Sequence, residues 1–141
     1  MSEIVCSGGL FLAKDTNRFL FLLRTQGKTA GTWGLVGGKK EPDDRSPHDT
    51  LVREISEEVG KTPTIRKMVP LSLFSSNNQQ FHYNTYVIIV DKEFIPTLNE
   101  EHNGYAWCGL GDWPNPLHRG VKTSLTNKII KTKLELLIEL L

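Results

Sequence analysis

The chain has 141 residues and a mass of 15.9 kDa, which suits a single domain with little room for a second core. Its 17 basic and 16 acidic side chains give a formal net charge of +1, so the overall charge favours neither nucleic acid nor an anionic membrane. The sequence has no apolar run near the roughly 20 residues of a membrane helix, no visible secretory signal, and too few cysteines for a disulfide framework. We therefore expect a cytoplasmic globular protein.

Apolar runs separated by turn residues predict the elements in the first half of the chain. A buried strand is predicted over residues 4–13 and a second strand over 19–24, with a turn between them. Residues 27–38 contain five glycines and predict a loop around one very short strand. A helix is predicted over 47–59.

The second half of the chain predicts further strands and a terminal helix. Residues 64–75 and 81–90 are rich in strand-forming residues, and 105–108 predicts a short strand after a polar connection. The mixture of strands and helices without strict alternation predicts an α+β fold, in which a mixed sheet carries a helix on each face. One amphipathic helix should end the chain, because apolar residues recur there at helical spacing: Leu125, Ile129, Leu134, Leu137 and Leu141.

The predicted helix over 47–59 has clear signals at both ends. Ser46 is a suitable N-cap, Pro47 suits the first helical position, and Gly60 stands where a left-handed residue ends a helix. At about 100° per residue, we expect an apolar stripe that packs on a sheet and a polar side opposite to it. The stripe consists of Leu51, Val52, Ile55 and Val59, and the polar side of Arg53, Glu54, Glu57 and Glu58.

The polar side of this helix groups three carboxylates within an arc of about 100°. Two like charges about 4 Å apart repel by about 4 kcal/mol at an effective dielectric constant of 20, and a divalent cation would relieve that repulsion. Carboxylate oxygens are hard ligands, so we expect Mg²⁺, with Mn²⁺ as the alternative. The other interpretation is a solvated acidic helix face without a metal.

The residues around this helix resemble a known family signature. From residue 37 the chain reads GGKKEPDDRSPHDTLVREISEEVG, which resembles the Nudix hydrolase signature GX5EX7REUXEEXGU, where U is aliphatic. The REUXEEXG part matches without a gap. Asp44 replaces the first glutamate, with eight rather than seven residues between it and Arg53, and Lys61 replaces the last aliphatic residue. Because the longer loop does not fix this carboxylate, we expect Asp44 to matter less than the helix acids.

The resemblance implies a fold and a reaction. The fold is a Nudix-type α/β/α sandwich over residues 1–141 as one domain, with a mixed sheet between a catalytic helix and a C-terminal helix. The reaction is metal-dependent hydrolysis of a pyrophosphate bond in ADP-ribose, a dinucleoside polyphosphate, a nucleotide sugar or a modified nucleoside triphosphate. A sugar-nucleotide hydrolase acting at carbon and a non-catalytic nucleotide-binding module are the alternatives.

The resemblance also assigns roles within the signature. Glu57 and Glu58 are the expected central metal ligands, and Glu54 is a further ligand or a partner of the ligands. The carbonyl of Gly37 is an additional expected ligand, because glycine permits the backbone turn that directs it at the metal. Arg53 is expected to orient Glu57 through an ion pair.

Outside the signature, Glu101 resembles a loop glutamate that precedes a tryptophan-bearing strand in several family members. We expect it to be the general base or an additional metal ligand, with Glu100 as the alternative. Arg24, His102 and Arg119 are the candidate substrate-binding residues, and ordinary solvated or loop roles are the alternative for each. The expected partner is a small nucleotide, with no stable nucleic-acid partner and no membrane, and the chain is expected to be a monomer or a homodimer.

Overall fold

The computed structural model describes residues 3–141, so residues 1 and 2 of the predicted domain lie outside the described part. Within this range there are seven strands, three α-helices and one turn of 3₁₀ helix. The strands are β1 (Ile4–Ala13), β2 (Arg18–Arg24), β3 (Trp33–Gly34), β4 (Val36–Lys39), β5 (Ile65–Ser75), β6 (Phe81–Val90) and β7 (His102–Cys108). The helices are α1 (Pro47–Glu58), α2 (Arg119–Leu125) and α3 (Lys128–Leu140).

These strands form one mixed sheet in which β1 is central. The main path is β3-β2-β1-β6-β5, while β4 also pairs with β1 and β7 with β2. The β1–β6 pair is parallel, and the other pairs are antiparallel. The end of β1 pairs with β2 at Leu12 and Phe19, whereas its first half pairs with β4 from Cys6 to Gly9. The glycine-rich strand β4 therefore lies beside the first half of β1.

The sheet is buried on both faces, which confirms the predicted α/β/α sandwich. Side chains alternate along each strand, so successive residues enter opposite cores. The core beneath α1 includes Phe11, Leu20, Leu22, Leu51, Ile55, Val59 and Ile88. The core beneath α2 and α3 includes Leu10, Leu12, Phe19, Phe21, Val87, Leu125 and Leu134. No helix in the described range is long and apolar enough to span a membrane.

Both end signals of α1 are confirmed. The Ser46 hydroxyl accepts a hydrogen bond from the backbone N–H of Asp49 at 3.1 Å, and Pro47 is the first helical residue. Gly60 has φ of +72°, the left-handed conformation that glycine adopts without a Cβ clash. The helix ends at Glu58, one residue before the predicted end.

The structure corrects two predicted elements, the glycine-rich segment over residues 27–38 and the C-terminal helix. The glycine-rich segment holds two short strands, β3 and β4, instead of one. The prediction of a single C-terminal helix is wrong, because the helix is interrupted between Leu125, where α2 ends, and Lys128, where α3 begins. The side chain of Asn127 accepts from the backbone N–H groups of Ile129 and Ile130 at 2.9 and 3.2 Å and thereby starts a new helix. Ile129 is consequently 68% exposed, whereas Leu134 is fully buried.

Candidate active site

A cavity of about 380 Å³ opens where β4, α1 and the segment before β7 meet. Its wall carries the carboxylates of Glu54, Glu58 and Glu101, together with the side chain of Arg24. Glu57 lies at the exposed side of α1, with half of its side chain accessible to solvent. The structure therefore brings Glu54, Glu58 and Glu101 to one cavity, whereas Glu57 does not line it.

The predicted division of α1 into an apolar and a polar side is wrong at three positions. Val52 is 48% exposed, whereas Glu54 and Glu58 are only 9% and 2% exposed. At about 100° per residue, Val52 lies about 100° from the buried Leu51, while the two glutamates lie about 60° and 20° away in the other direction. Strand β4 covers α1 on that second side, so the buried arc of the helix includes both carboxylates.

Two glycines of β4 allow the backbone to lie against these carboxylates. The backbone N–H of Gly37 donates to Glu58 Oε1 at 2.7 Å. A Cβ atom on Gly38 would lie only 2.6 Å from the carboxyl carbon of Glu54, closer than side chains can pack. Gly38 therefore allows β4 to lie close to α1, whereas a side chain at Gly37 would clash with the backbone of Ser7 on β1.

Arg53 connects the carboxylates of α1 to the preceding loop. Its Nη1 atom lies 2.8 Å from Glu54 Oε1 and 3.2 Å from Glu57 Oε2. Its Nη2 atom donates to Asp44 Oδ2 at 2.9 Å and to the carbonyl of Lys39 at 3.0 Å. The hydrogen bonds that the guanidinium donates to Asp44, followed by those to the two glutamates, raise the pKa of Arg53. Arg53 is thus charged and fixes the positions of both glutamates.

The expectation that Asp44 is loosely placed is wrong. Its side chain is largely buried and accepts from the backbone N–H of Glu41 at 2.9 Å and from the hydroxyl of Thr50 at 3.0 Å. Arg53 Nε donates to its other oxygen at 3.2 Å, and this pairing holds the pKa of Asp44 well below its usual range. The extra loop residue is accommodated by a turn, because the N–H of Asp44 donates to the carbonyl of Glu41.

Two of the carboxyl groups in the cavity, those of Glu54 and Glu58, are poorly solvated, whereas Glu101 is exposed. Burial and, to a smaller extent, the nearby Glu54 and Glu101 together raise the pKa of Glu58 to about 8, although the hydrogen bond from the Gly37 N–H opposes the shift. Burial also raises the pKa of Glu54, although its contact with Arg53 opposes this. A divalent cation would stabilise the charged forms of these groups. The donor set of carboxylate oxygens therefore fits a hard cation such as Mg²⁺ or Mn²⁺.

The segment that carries Glu101 is attached to the C-terminal end of α1. The backbone N–H of Thr97 donates to the carbonyl of Val59 at 2.9 Å, and the side-chain amide of Asn99 donates to the carbonyl of Glu57 at 3.1 Å. The Asn99 amide oxygen in turn accepts from the N–H of Glu101 at 3.0 Å. Sequence analysis missed Asn99, whose side chain links the helix to the loop and whose type gives only a general turn signal.

His102 follows Glu101 and opens β7 directly opposite Arg24 of β2. Its side chain is only 3% exposed, and neither ring nitrogen has a hydrogen-bond partner among residues 3–141. Burial, and then the charge of Arg24, lower the pKa of His102, so the ring is neutral at neutral pH. Donor atoms of Glu58, Glu101 and His102 all lie within 4.8 Å of one another. The predicted base and a predicted substrate-binding residue are therefore adjacent to a predicted metal ligand.

A second cavity of about 540 Å³ adjoins the first and is lined mainly by apolar side chains. Tyr83 and His118 line both cavities. The two arginines predicted to bind substrate are not brought together, because Arg24 lines the acidic cavity and Arg119 the apolar one. Arg24 Nε donates to the Thr29 hydroxyl at 2.7 Å, which orients the guanidinium within the acidic cavity.

Tyr83 is the second residue whose position the sequence did not reveal. It lies opposite Cys6 in the parallel β1–β6 pair, and a Cβ atom on Gly8 would lie 2.2 Å from its hydroxyl. Burial raises its pKa to about 12, so the phenol keeps its proton at neutral pH and can donate a hydrogen bond where the cavities meet. Tyr83 and Thr85 are two positions apart on β6, so the sequence places their side chains on the same face of the sheet. It does not indicate that this face lines a cavity.

Comparison with known proteins gives consistent matches. The model of the NUDIX domain family matches residues 7–127. The chain is 30% identical over 109 residues to the CTP pyrophosphohydrolase of Escherichia coli K12, covering 77% of this chain and 76% of that protein. It is 31% identical over 114 residues to the nucleoside triphosphatase NudI of Klebsiella pneumoniae strain 342, covering 73% of this chain and 80% of that protein. The crystal structure of a MutT NUDIX hydrolase from Burkholderia pseudomallei has a TM-score of 0.68 and 25% identity, covering 89% of this chain and 97% of that one.

Proposed function

The chain belongs to the NUDIX family and is a Nudix hydrolase, and we propose that it hydrolyses a pyrophosphate bond of a nucleoside triphosphate with a divalent cation. The names of the two curated relatives support a triphosphate as the first candidate substrate. ADP-ribose, dinucleoside polyphosphates and nucleotide sugars are the further candidates.

One observation carries this proposal. The carboxyl groups of Glu54, Glu58 and Glu101 share one cavity, and Glu58 is almost fully buried. Burying several carboxylates together is unfavourable unless a cation compensates their charge. Arg53 contacts Glu54 but is itself shared with three other carboxylates. A divalent cation accounts for the remaining negative charge.

Three carboxylates of α1 and one backbone carbonyl of β4 are the oxygen ligands proposed for this cation. We propose Mg²⁺, with Mn²⁺ as the alternative, held by Glu54, Glu57 and Glu58 and by the carbonyl of Gly37. When bound, such an ion neutralises charge that develops on the phosphate oxygens. Arg53 acts as a positioning residue, because it holds two of the glutamates in place.

Glu101 is the proposed general base. Its carboxylate would accept a proton from the attacking water, whose oxygen forms a bond to phosphorus while the bridging P–O bond breaks. With a nucleoside triphosphate, the expected products are a nucleoside monophosphate and pyrophosphate. Arg24 lines the same cavity as a fixed cation and would contact the phosphate oxygens.

The apolar cavity beside the acidic one supports a nucleotide as the substrate. Nucleotide bases have flat apolar faces and polar edges, and a mainly apolar pocket of about 540 Å³ with a few polar groups can enclose one. Tyr83 and His118 would lie between the base and the phosphates, since they line both cavities. Arg119 would contact the nucleoside end of the substrate. The cytoplasmic location, the single domain over residues 1–141, the monomeric or homodimeric state and the absence of a nucleic-acid partner stay predictions.

A substrate panel tests the proposal. The four ribonucleoside triphosphates, their deoxy forms, ADP-ribose, diadenosine tetraphosphate and a nucleotide sugar are incubated with the full chain in Mg²⁺ or in EDTA. We expect Mg²⁺-dependent release of a nucleoside monophosphate, measured by chromatography and ³¹P NMR. Glu58→Gln should abolish most of this turnover, whereas Glu135→Gln, an exposed change on α3, should retain it. A free sugar as the product would favour hydrolysis at carbon, and binding without turnover would favour a nucleotide-binding module.

A further inference from the structure

The buried imidazole of His102 is the feature that the proposed reaction leaves unexplained. The ring is 3% exposed, and both of its nitrogens lack a hydrogen-bond partner within residues 3–141. Buried polar atoms in folded proteins are almost always hydrogen-bonded, so two orphaned nitrogens on one ring need a specific cause. A leucine or phenylalanine would fill a purely structural position without this cost.

The acidic neighbours of the ring favour a cation over an anion, and they outnumber the one positive charge nearby, that of Arg24 opposite His102. Carboxylate oxygens of Glu58 and Glu101 and a ring nitrogen of His102 lie within 4.8 Å of one another. A phosphate oxygen placed among these groups would meet two carboxylates, whereas a metal ion would be attracted by both. The separation of the three donor atoms is compatible with ligands of one ion, because ligand atoms lie about 2.0–2.3 Å from a first-row metal.

We propose that His102 is a nitrogen ligand of the divalent cation that Glu58 and one oxygen of Glu101 also hold, so that the site binds Mn²⁺ more tightly than Mg²⁺. The other oxygen of Glu101 stays free to accept a proton. This inference rests on the proposed function, since the cation lies in the same cavity. Imidazole nitrogen is a softer donor than carboxylate oxygen, and transition metals accept mixed nitrogen and oxygen ligands. Mg²⁺ instead favours oxygen ligands and water. Mn²⁺ is therefore expected to bind more tightly than Mg²⁺, and the difference is expected to depend on His102.

The experiment uses the full chain with Mn²⁺ as the probe and without nucleotide. Wild type is compared with His102→Gln and with His48→Gln, which removes an exposed imidazole on α1. Mn²⁺ binding is measured by EPR of the free ion, and Mg²⁺ binding by competition. Electron spin echo modulation from ¹⁴N reports directly whether an imidazole nitrogen is bound to Mn²⁺. Circular dichroism and thermal melting check that each variant folds.

We expect ¹⁴N modulation in wild type and in His48→Gln, and its loss in His102→Gln. The Mn²⁺ affinity of His102→Gln should fall about 10-fold or more, with a smaller change for Mg²⁺. Mn²⁺ binding to wild type without ¹⁴N modulation would overturn this inference and leave the proposed function standing, and so would modulation that persists in His102→Gln. Failure of both ions to bind wild type would overturn both. The wild-type spectrum alone decides the question if His102→Gln does not fold.

Discussion

Replacing Glu58 by glutamine should stabilise the protein when no metal is present. The substitution keeps the size of the side chain and an oxygen that can accept from the Gly37 N–H, but it removes a buried group that would become charged as the pH rises. Burial raises the pKa of Glu58 from its ordinary value of 4.5 to about 8 in the folded state. The folded protein therefore holds this proton more tightly than the unfolded chain does. The contribution of Glu58 to stability is fully present below about pH 4.5 and is lost as the pH rises through 8.

The magnitude follows from the two pKa values. Their difference is 8 − 4.5 = 3.5 pH units, and at about 1.36 kcal/mol per unit the full loss is about 5 kcal/mol. Between pH 5 and pH 8, the loss from Glu58 is on the order of 3 kcal/mol. A change of that size moves the melting temperature of a domain of this length by roughly 10 °C. The stabilising effect of Glu58→Gln should therefore be small at pH 5 and large at pH 8.

Thermal melting in EDTA at pH 5 and pH 8 measures this effect. Glu57→Gln is the matched control, because it removes a carboxylate from the same helix at a position that is half exposed. Its melting temperature should differ little from wild type relative to the change in Glu58→Gln. Equal melting temperatures for wild type and Glu58→Gln at pH 8 would refute the reasoning that burial makes this carboxylate unfavourable. A lower value for Glu58→Gln would instead indicate a structural role for the charge.

Three further substitutions test other parts of the site. Glu101→Gln should lower kcat by about 10²–10⁴-fold with little change in KM, while Glu100→Gln stays near wild type; near-normal kinetics in both would place the base elsewhere. Asp44→Asn should lower kcat by about 10–100-fold in steady-state assays. Asp44 holds the guanidinium of Arg53, and that guanidinium in turn fixes the positions of Glu54 and Glu57. An equal loss in the exposed control Asp43→Asn would contradict that role. Gly38→Ala should weaken Mg²⁺ binding in calorimetry, because its Cβ would displace a carboxyl group 2.6 Å away, and unchanged affinity would show that the strand can move aside.

The position of α1 along the chain could be predicted because its end signals are local. Ser46, Pro47 and Gly60 act through hydrogen bonds and backbone conformations within a few residues of the helix ends. The strands were predictable for a related reason. The second halves of β1 and β6 are buried on both faces and therefore have continuous apolar sequences, Leu-Phe-Leu-Ala and Val-Ile-Ile-Val.

The burial of Glu54 and Glu58 could not be predicted in the same way. Helical periodicity gives the angle between side chains, but it does not say which neighbouring strand covers each side. The two carboxylates are buried because β4 pairs with the first half of β1, bringing Gly37 opposite Gly8. That pairing joins residues far apart in the sequence. The same limit explains why Val52 was wrongly assigned to the apolar stripe.

The position of His102 was also hidden from sequence analysis. The segment before residue 105 is polar and predicts a connection, yet β7 begins at His102 because it pairs with β2 as far as Arg24. Asn99 and Thr97 then hold the preceding loop on the end of α1. The resemblance to the Nudix signature indicated Glu101 as a candidate, but the adjacency of its carboxylate to Glu58 depends on these tertiary contacts.

The most direct test of the account is hydrolysis of the preferred nucleoside triphosphate in ¹⁸O-labelled water. In the proposed reaction, water attacks phosphorus in the cavity lined by Glu54, Glu58 and Glu101, and a divalent cation is required. Mass spectrometry of the products should then find one ¹⁸O atom in the nucleoside monophosphate or in pyrophosphate, and EDTA should stop the reaction. Label in a released nucleoside, or turnover that continues unchanged in EDTA, would contradict this mechanism.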